Sequence, residues 1–219
     1  MQVPEQADMA ALRLALEREL ALRREIDHRV KNNFQLVASL LVLQARRSES
    51  AAARDALRAM NQRVTAISVL HRQVYRDDGA EWVDAAVMVR ELVGDLAASA
   101  GRDGVRFSMS LDPVILPAAQ GAPLALVAGE LVGNALGHGF PKGRAGVVTV
   151  TLDRTADGFE LMVADDGVGF EGEAPRGFGL TLVQLFVEQL RGRLEVNPAQ
   201  PGVRALVSVT MSPTEPAPA

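Results

Sequence analysis

The sequence predicts an α+β protein in two parts: an N-terminal antiparallel helical hairpin and a C-terminal domain of mixed strands and helices. Three observations predict it. Residues 9–47 contain neither Gly nor Pro and are dominated by Ala, Leu, Arg and Glu, all good helix formers. A second helical pattern follows after only a short polar break, and helices joined so briefly are antiparallel neighbours. Beyond Gly79 the pattern changes to short alternating runs punctuated by Gly and Pro, the mark of strands and turns. With 219 residues and 48% apolar composition, the chain can bury one or two cores.

The first helix carries Val30, Phe34, Val37 and Leu41 at the spacing of a buried seam. The break Arg47-Ser48-Glu49-Ser50 supplies a turn and an N-cap. The second helix runs from about Ala51 to Tyr75, with a seam of Ala53, Leu57, Met60, Val64, Ile67, His71 and Val74, and stops at Asp77-Asp78-Gly79. Each helix also has a second apolar stripe: Leu36, Leu40 and Leu43 on the first, Ala59, Ala66 and Leu70 on the second. A hairpin with two stripes needs another layer. A second copy, completing a four-helix bundle, supplies it most simply; the C-terminal part of the same chain is the other source.

After Gly79 the expected elements are a short extended start and a helix over Trp82–Ala100, then a strand at Val105–Leu111. A helix from Leu124 to about Gly137 and strands Val147–Arg154 and Phe159–Val163 follow. A glycine-rich loop, Gly167–Gly179, opens a helix Leu180–Leu190, and strands Arg193–Val196 and Arg204–Thr210 close the domain. The expected division is 1–79, 80–211, and a disordered tail at 212–219 rich in Pro and Ala.

Composition excludes several chemistries. There is no cysteine, hence no disulfide, thiolate metal site or cysteine nucleophile. A net charge of −4 and single Trp and Tyr residues argue against nucleic acid as a partner. No apolar run is long enough to span a bilayer, and MQVPEQAD has no signal-peptide pattern, so a cytoplasmic location is expected. Of 23 basic residues only Lys31 and Lys142 are lysines.

Four constellations could carry chemistry. In Asp27-His28-Arg29-Val30-Lys31-Asn32-Asn33, His28 lies about 200° around the helix from Ile26 and from Val30, so it faces away from the seam. Asn32 follows one turn later on that outward face. An exposed His beside an amide is an open nucleophile next to a group able to orient water or phosphate; taken alone, it is equally an ordinary exposed His in a charged run.

Glu130, Asn134 and His138 recur every four residues on an otherwise apolar helix and are expected to share one polar face. A carboxylate there can accept a proton, and an amide oxygen can ligate Mg²⁺. The third constellation, Asp165-Asp166-Gly167-Val168-Gly169, follows a strand. Its glycines permit close backbone approach, and its carboxylate can accept a hydrogen bond from an adenine amino group. The fourth, Arg176-Gly177-Phe178-Gly179-Leu180, opens a helix, where backbone N–H groups favour phosphate. The last two are weak singly, but the order of all four is specific.

In that order they resemble the sensor histidine kinases of two-component systems, the HisKA_2 subgroup close to the HWE kinases. His28-Arg-Val-Lys-Asn-Asn-Phe-Gln resembles the phosphoacceptor box, Glu130…Asn134…His138 the N box of GHKL ATPases, Asp165-Asp-Gly-Val-Gly the G1 box and Gly177-Phe-Gly-Leu180 the G2 box. The resemblance covers about Leu20 to Met211. It implies a dimerisation and phosphotransfer hairpin followed by a Bergerat-fold ATP-binding sandwich. His28 would take the γ-phosphoryl group of ATP and pass it to an aspartate of a response regulator receiver domain. Glu130 would be base or orienter, and Asn32 would assist a phosphatase reaction. Asn134 would hold Mg²⁺, Asp165 would read adenine, and Gly167, Gly169, Gly177 and Gly179 would shape the phosphate side and lid. His138 and Leu180 would line the nucleotide site.

One departure stands out. Gly137 occupies a position where the family usually has Lys, leaving Lys142 or Arg176 to face the phosphates. The alternatives are a phosphotransferase or phosphatase with weak kinase activity, or a non-enzymatic dimeric dock for a receiver domain. With no room for a sensor domain, the signal is expected from a separate partner, or the chain is a catalytic fragment. Of the remaining histidines, His71 is expected to pack in the hairpin.

Overall fold

The structure, a computed structural model, describes residues 3–76, 81–101, 104–172 and 177–211. Helix α1 spans Val3–Arg47 and α2 spans Ala51–Arg76. At the tip between them the Ser50 hydroxyl accepts the Ala53 N–H at 3.3 Å, satisfying one of the free donors at the start of α2. The Asp77–Gly79 stop and the 212–219 tail lie outside the described residues.

The inner face of α1 is Val30, Phe34, Ala38, Leu41 and Ala45; Val37, expected in the seam, is exposed. On α2 the two stripes exchange importance. Ala53, Met60 and Ile67, expected in the seam, are exposed, whereas Ala66 and Val69 are fully buried. The physical reason is a competing surface: α2 packs not only on α1 but on a helix of the C-terminal part of the same chain. The second stripe of α2 therefore has an intramolecular partner. That of α1 does not, and Leu36, Leu40 and Leu43 stand 60%, 51% and 43% exposed.

Strand β1 (Trp82–Asp84) leads into α3 (Ala85–Ala100). The Asp84 carboxylate caps α3 by accepting the N–H groups of Ala86 and Val87, and Gly101, in the left-handed region at φ 57°, ends it. β2 is Val105–Leu111. β3 (Ile115–Pro117), too short to show a period in the sequence, pairs antiparallel with β1.

Helix α4 is Ala118–Asn134 and begins six residues before its expected start at Leu124. Pro123 lies inside it, and at the sixth helical position it removes a single backbone hydrogen bond. A π-turn, Ala135–Gly139, and a 3-10 turn, Pro141–Gly143, carry the chain to β4 (Gly146–Thr155) and β5 (Gly158–Asp165). Helix α5 (Phe178–Gln189) precedes β6 (Gly192–Pro198) and β7 (Val203–Thr210).

The five-stranded sheet has the order β2-β4-β5-β7-β6, parallel only between β2 and β4. Alternate residues of β4, β5 and β7 are buried, the period-two pattern of a sheet covered on one face. Val150, Leu152, Leu161, Val163 and Val207 from the sheet join Leu92, Leu96, Leu124, Val127, Val183 and Val187 from α3, α4 and α5 in one core. The result is the expected α+β architecture, a helical hairpin followed by a helix-on-sheet sandwich. Two contacts fasten one part to the other: α2 on α4, and the Arg72 guanidinium with Asp95 at 2.8 Å and Glu91 at 3.7 Å on α3.

Candidate functional site

The C-terminal half of helix α4 lies in the core, largely apolar, and its two polar residues stand one turn apart. Glu130 is buried, 5% exposed, and Asn134 is half-buried one turn on. The start of α5 sits directly on this pair. A Cβ placed on Gly179 would lie 2.9 Å from Glu130 Oε2 and 3.5 Å from Asn134 Oδ1. Only a residue without a side chain brings the loop backbone this close. Gly177, exposed, precedes the helix as its extended N-cap. Leu180 is half-buried against the core, so it anchors the helix start by packing.

His138 leaves the expected face and is exposed. The cause is the π-turn: wider than an α-turn, it inserts an extra residue into the period, so the step from 134 to 138 no longer returns to the same side. Gly137 is exposed with nothing within 4 Å of an added Cβ. Gly139, at the end of the turn, is buried, and a Cβ there would come 2.9 Å from Asp165 Oδ1.

Asp165 ends β5 at 8% exposure, enclosed by Gly139, Gly167 and Gly202. Its Oδ1 accepts the Gly167 N–H at 2.9 Å. Burial pushes its carboxyl above the usual aspartate range, outweighing the N–H groups of Gly167 and Val203, which pull the other way; Asp166 adds to the rise and Arg144 opposes it. A buried carboxylate with remaining acceptor capacity suits an exocyclic amine.

The loop that follows is tied down at several points. The Val168 N–H donates to Gly139 O at 2.9 Å, and Gly169, at φ 64°, lies against the Gly202 carbonyl. Asp166, unremarked in the sequence, is the tie: its Oδ1 accepts the Val147 N–H at 2.7 Å, and its carbonyl accepts Arg144 Nη2 at 2.9 Å. Lys142 falls in the 3-10 turn, and Arg176 lies outside the described residues.

His28 and Asn32 are both exposed on α1. They are not brought to the α4 edge; the hairpin meets α4 through α2. The cation that does reach the site is one sequence reasoning missed. Arg63 of α2 donates through Nε to Glu130 Oε1 at 2.6 Å, with side chains 16% and 5% exposed, and its guanidinium carbon lies 5.1 Å from the Phe178 ring centroid. His71 meets Phe34 edge-on inside the hairpin, as expected.

The arrangement can hold a magnesium–nucleotide. Mg²⁺ takes oxygen ligands and keeps waters and substrate phosphates, so the Asn134 amide oxygen is a residue that could contribute to holding it. The backbone of Gly139, Gly167 and Gly202 lies close around Asp165, and that of Gly179 close to Glu130 and Asn134. Among the described residues no helix is long and apolar enough to cross a membrane.

Comparison with known proteins gives the family and the fold. The HisKA_2 histidine kinase family model matches residues 25–100, and that of the histidine kinase-like ATPase domain matches residues 105–205. The chain is similar to the sensor histidine kinase PdtaS of Mycobacterium tuberculosis H37Rv, 36% identical over 189 residues, covering 81% of this chain and 36% of that protein. It is similar also to the PdtaS of Mycolicibacterium smegmatis, 35% identical over 187 residues, covering 82% and 37%. The chain therefore spans about a third of the length of these curated relatives. Among solved structures, the histidine kinase domain of the Erythrobacter litoralis EL346 blue-light activated histidine kinase has a TM-score of 0.66 at 21% identity, covering 90% of this chain and 93% of that one, a likeness of fold.

Proposed function

The chain belongs to the histidine kinases, with a HisKA_2 region followed by a histidine kinase-like ATPase domain, and from that premise we propose that it is an ATP-dependent kinase acting on its own His28. The hairpin 1–79 would be the phosphotransfer part and 80–211 the nucleotide-binding part. The observation that carries the proposal is the single edge where Glu130, Asn134 and the Gly179 backbone converge, beside the glycine-enclosed carboxylate of Asp165.

Asp165 accepts the adenine amino group. The Gly167 and Gly169 backbone shapes the floor, and the Gly177–Gly179 backbone closes over the phosphates, with Lys142 and Arg176 as the available cations. Asn134 would hold Mg²⁺, which with the nucleotide neutralises phosphate charge. An unprotonated ring nitrogen of His28 attacks the γ-phosphorus; the N–P bond forms as the bond to the β-phosphate oxygen breaks, and ADP leaves. Glu130 orients the imidazole by accepting the hydrogen bond of its other ring N–H. Such a transfer is mainly positioning and charge neutralisation, which suits two docking parts.

The phosphoryl group then passes to an aspartate of a receiver domain, and Asn32, one turn from His28, would orient the water that hydrolyses the aspartyl phosphate to aspartate and inorganic phosphate. The uncovered Leu36-Leu40-Leu43 stripe supports a homodimer whose four helices bury it. The setting is cytoplasmic.

Incubation with labelled ATP and Mg²⁺ tests the proposal. Wild type should take up acid-labile label, as phosphohistidine does, while His28→Ala and Asn134→Ala should not. Acid-stable label, or label surviving His28→Ala, refutes it.

A further inference from the structure

The contact of Arg63 with Glu130 occupies the residue that transfer requires. Arg63 holds Oε1 at 2.6 Å, and Oε2 lies against Gly179. Oε1 is thus already taken, and Glu130 as a whole is only 5% exposed. Arg63 also covers the ring of Phe178, so one side chain of the hairpin touches both the α4 edge and the start of α5.

The position along the hairpin is equally telling. Phe34 meets His71, and at that antiparallel register residue 42 of α1 comes level with Arg63. His28 lies fourteen residues further along α1, about 20 Å at the helical rise. A second copy related by an axis along the bundle would present its own His28 at the same level. Transfer within one chain or between two therefore demands that α4 leave Arg63.

The surface between α2 and α4 is built to fit and also to part. Gly121, Gly129 and Gly133 of α4 receive Leu70, Ala66 and Gln62 of α2. Yet α2 and α4 also carry buried polar atoms, Gln73 Nε2 and Gln120 Oε1, without a hydrogen-bond partner among the described residues, each at a cost to this arrangement. Interfaces between parts of one chain that combine close fit with polar groups are the ones that move.

We infer that Arg63 is the bolt of an autoinhibitory latch: it holds Glu130 and Phe178 against α2, parking the ATP-binding part away from His28 until a signal draws α2 off α4. The inference rests on the roles proposed for His28 and Glu130. It adds that the resting protein is switched off by its own hairpin.

The absence of cysteine makes a direct test simple. An ideal Cβ at Gly129 lies 3.5 Å from the Ala66 Cβ, within disulfide range. In the full chain carrying Ala66→Cys and Gly129→Cys, oxidation should trap the docked form. It should abolish His28 labelling while a fluorescent ATP analogue still binds, and reduction should restore labelling. Adding Arg63→Met, which keeps the stem and removes the donors, should slow disulfide trapping and raise labelling of the reduced protein roughly tenfold. Arg63→Lys should fall between. Equal labelling of oxidised and reduced protein overturns the latch, as does trapping unaffected by Arg63→Met. Failure of the reduced protein to label at all counts against the kinase reading instead, and the trapping comparison still decides the latch.

Discussion

Gly179 rests on Glu130, so closely that a methyl group would come within 2.9 Å of the carboxylate. Glu130 is held by Arg63 and does not yield, so the start of α5 must. Gly179→Ala should lift the lid backbone from Asn134 and weaken binding of an ATP analogue roughly tenfold, about 1.4 kcal/mol. Equilibrium titration with a fluorescent analogue checks this; unchanged affinity would mean that this backbone does not meet the phosphates.

Asp165 has a pH signature. Its carboxyl lies above the ordinary aspartate range because burial disfavours the charge. Between the unfolded and the folded value the native state therefore binds more protons than the unfolded chain. Its contribution to stability is greatest at low pH and is lost as pH rises through the folded value. Asp165→Asn removes that slope. Thermal melts between about pH 4 and 7 should show wild type losing ground against the variant as pH rises. A constant difference would contradict the assignment.

Two glycines of α4 should respond unequally to the same change. At Gly129 a Cβ meets Ala66 at 3.5 Å, ordinary contact, so Gly129→Ala should stabilise by about 0.5–1 kcal/mol through helix propensity. At Gly133 the new methyl would overlap the Gln62 amide, the far end of a flexible side chain that must swing aside, so Gly133→Ala should yield less of that gain than Gly129→Ala. Urea unfolding of both variants measures the contrast, and equal effects would place α2 elsewhere.

The exposed stripe of α1 gives a prediction about assembly. Leu40→Asp introduces charge where the proposed dimer buries a leucine. Light scattering should find a dimer for wild type and a monomer for the variant. A monomeric wild type would leave the stripe for another partner.

Much of this fold is legible in the sequence because its elements are long and periodic. The hairpin follows from the run without Gly or Pro, and the sheet from alternation in 147–154 and 204–210. Glu130 and Asn134 stand out as polar residues in an apolar helix. Arg63 does not, because in sequence it is one arginine among many on a polar face and its partner is 67 residues away. Asp166 reads as a turn residue beside a more conspicuous neighbour, and only its bond to Val147 reveals the tie. The seam of α2 misleads for a related reason: periodicity tells that a helix has two apolar faces, while the partner of each is decided by tertiary packing. Three-residue β3 carries too little pattern to be read at all, whereas the extended start at Trp82 is legible and corresponds to β1.

The π-turn at Ala135–Gly139 turns the nucleotide site into a matter of counting. Shortening it by one residue would let the α-helical ladder resume and rotate everything downstream by about 100°. Gly139 would swing out from beneath Asp165. Gly137, which touches nothing, is thus a spacer. Side chains can be exchanged there at little cost, but its deletion would put the two halves of the pocket out of phase.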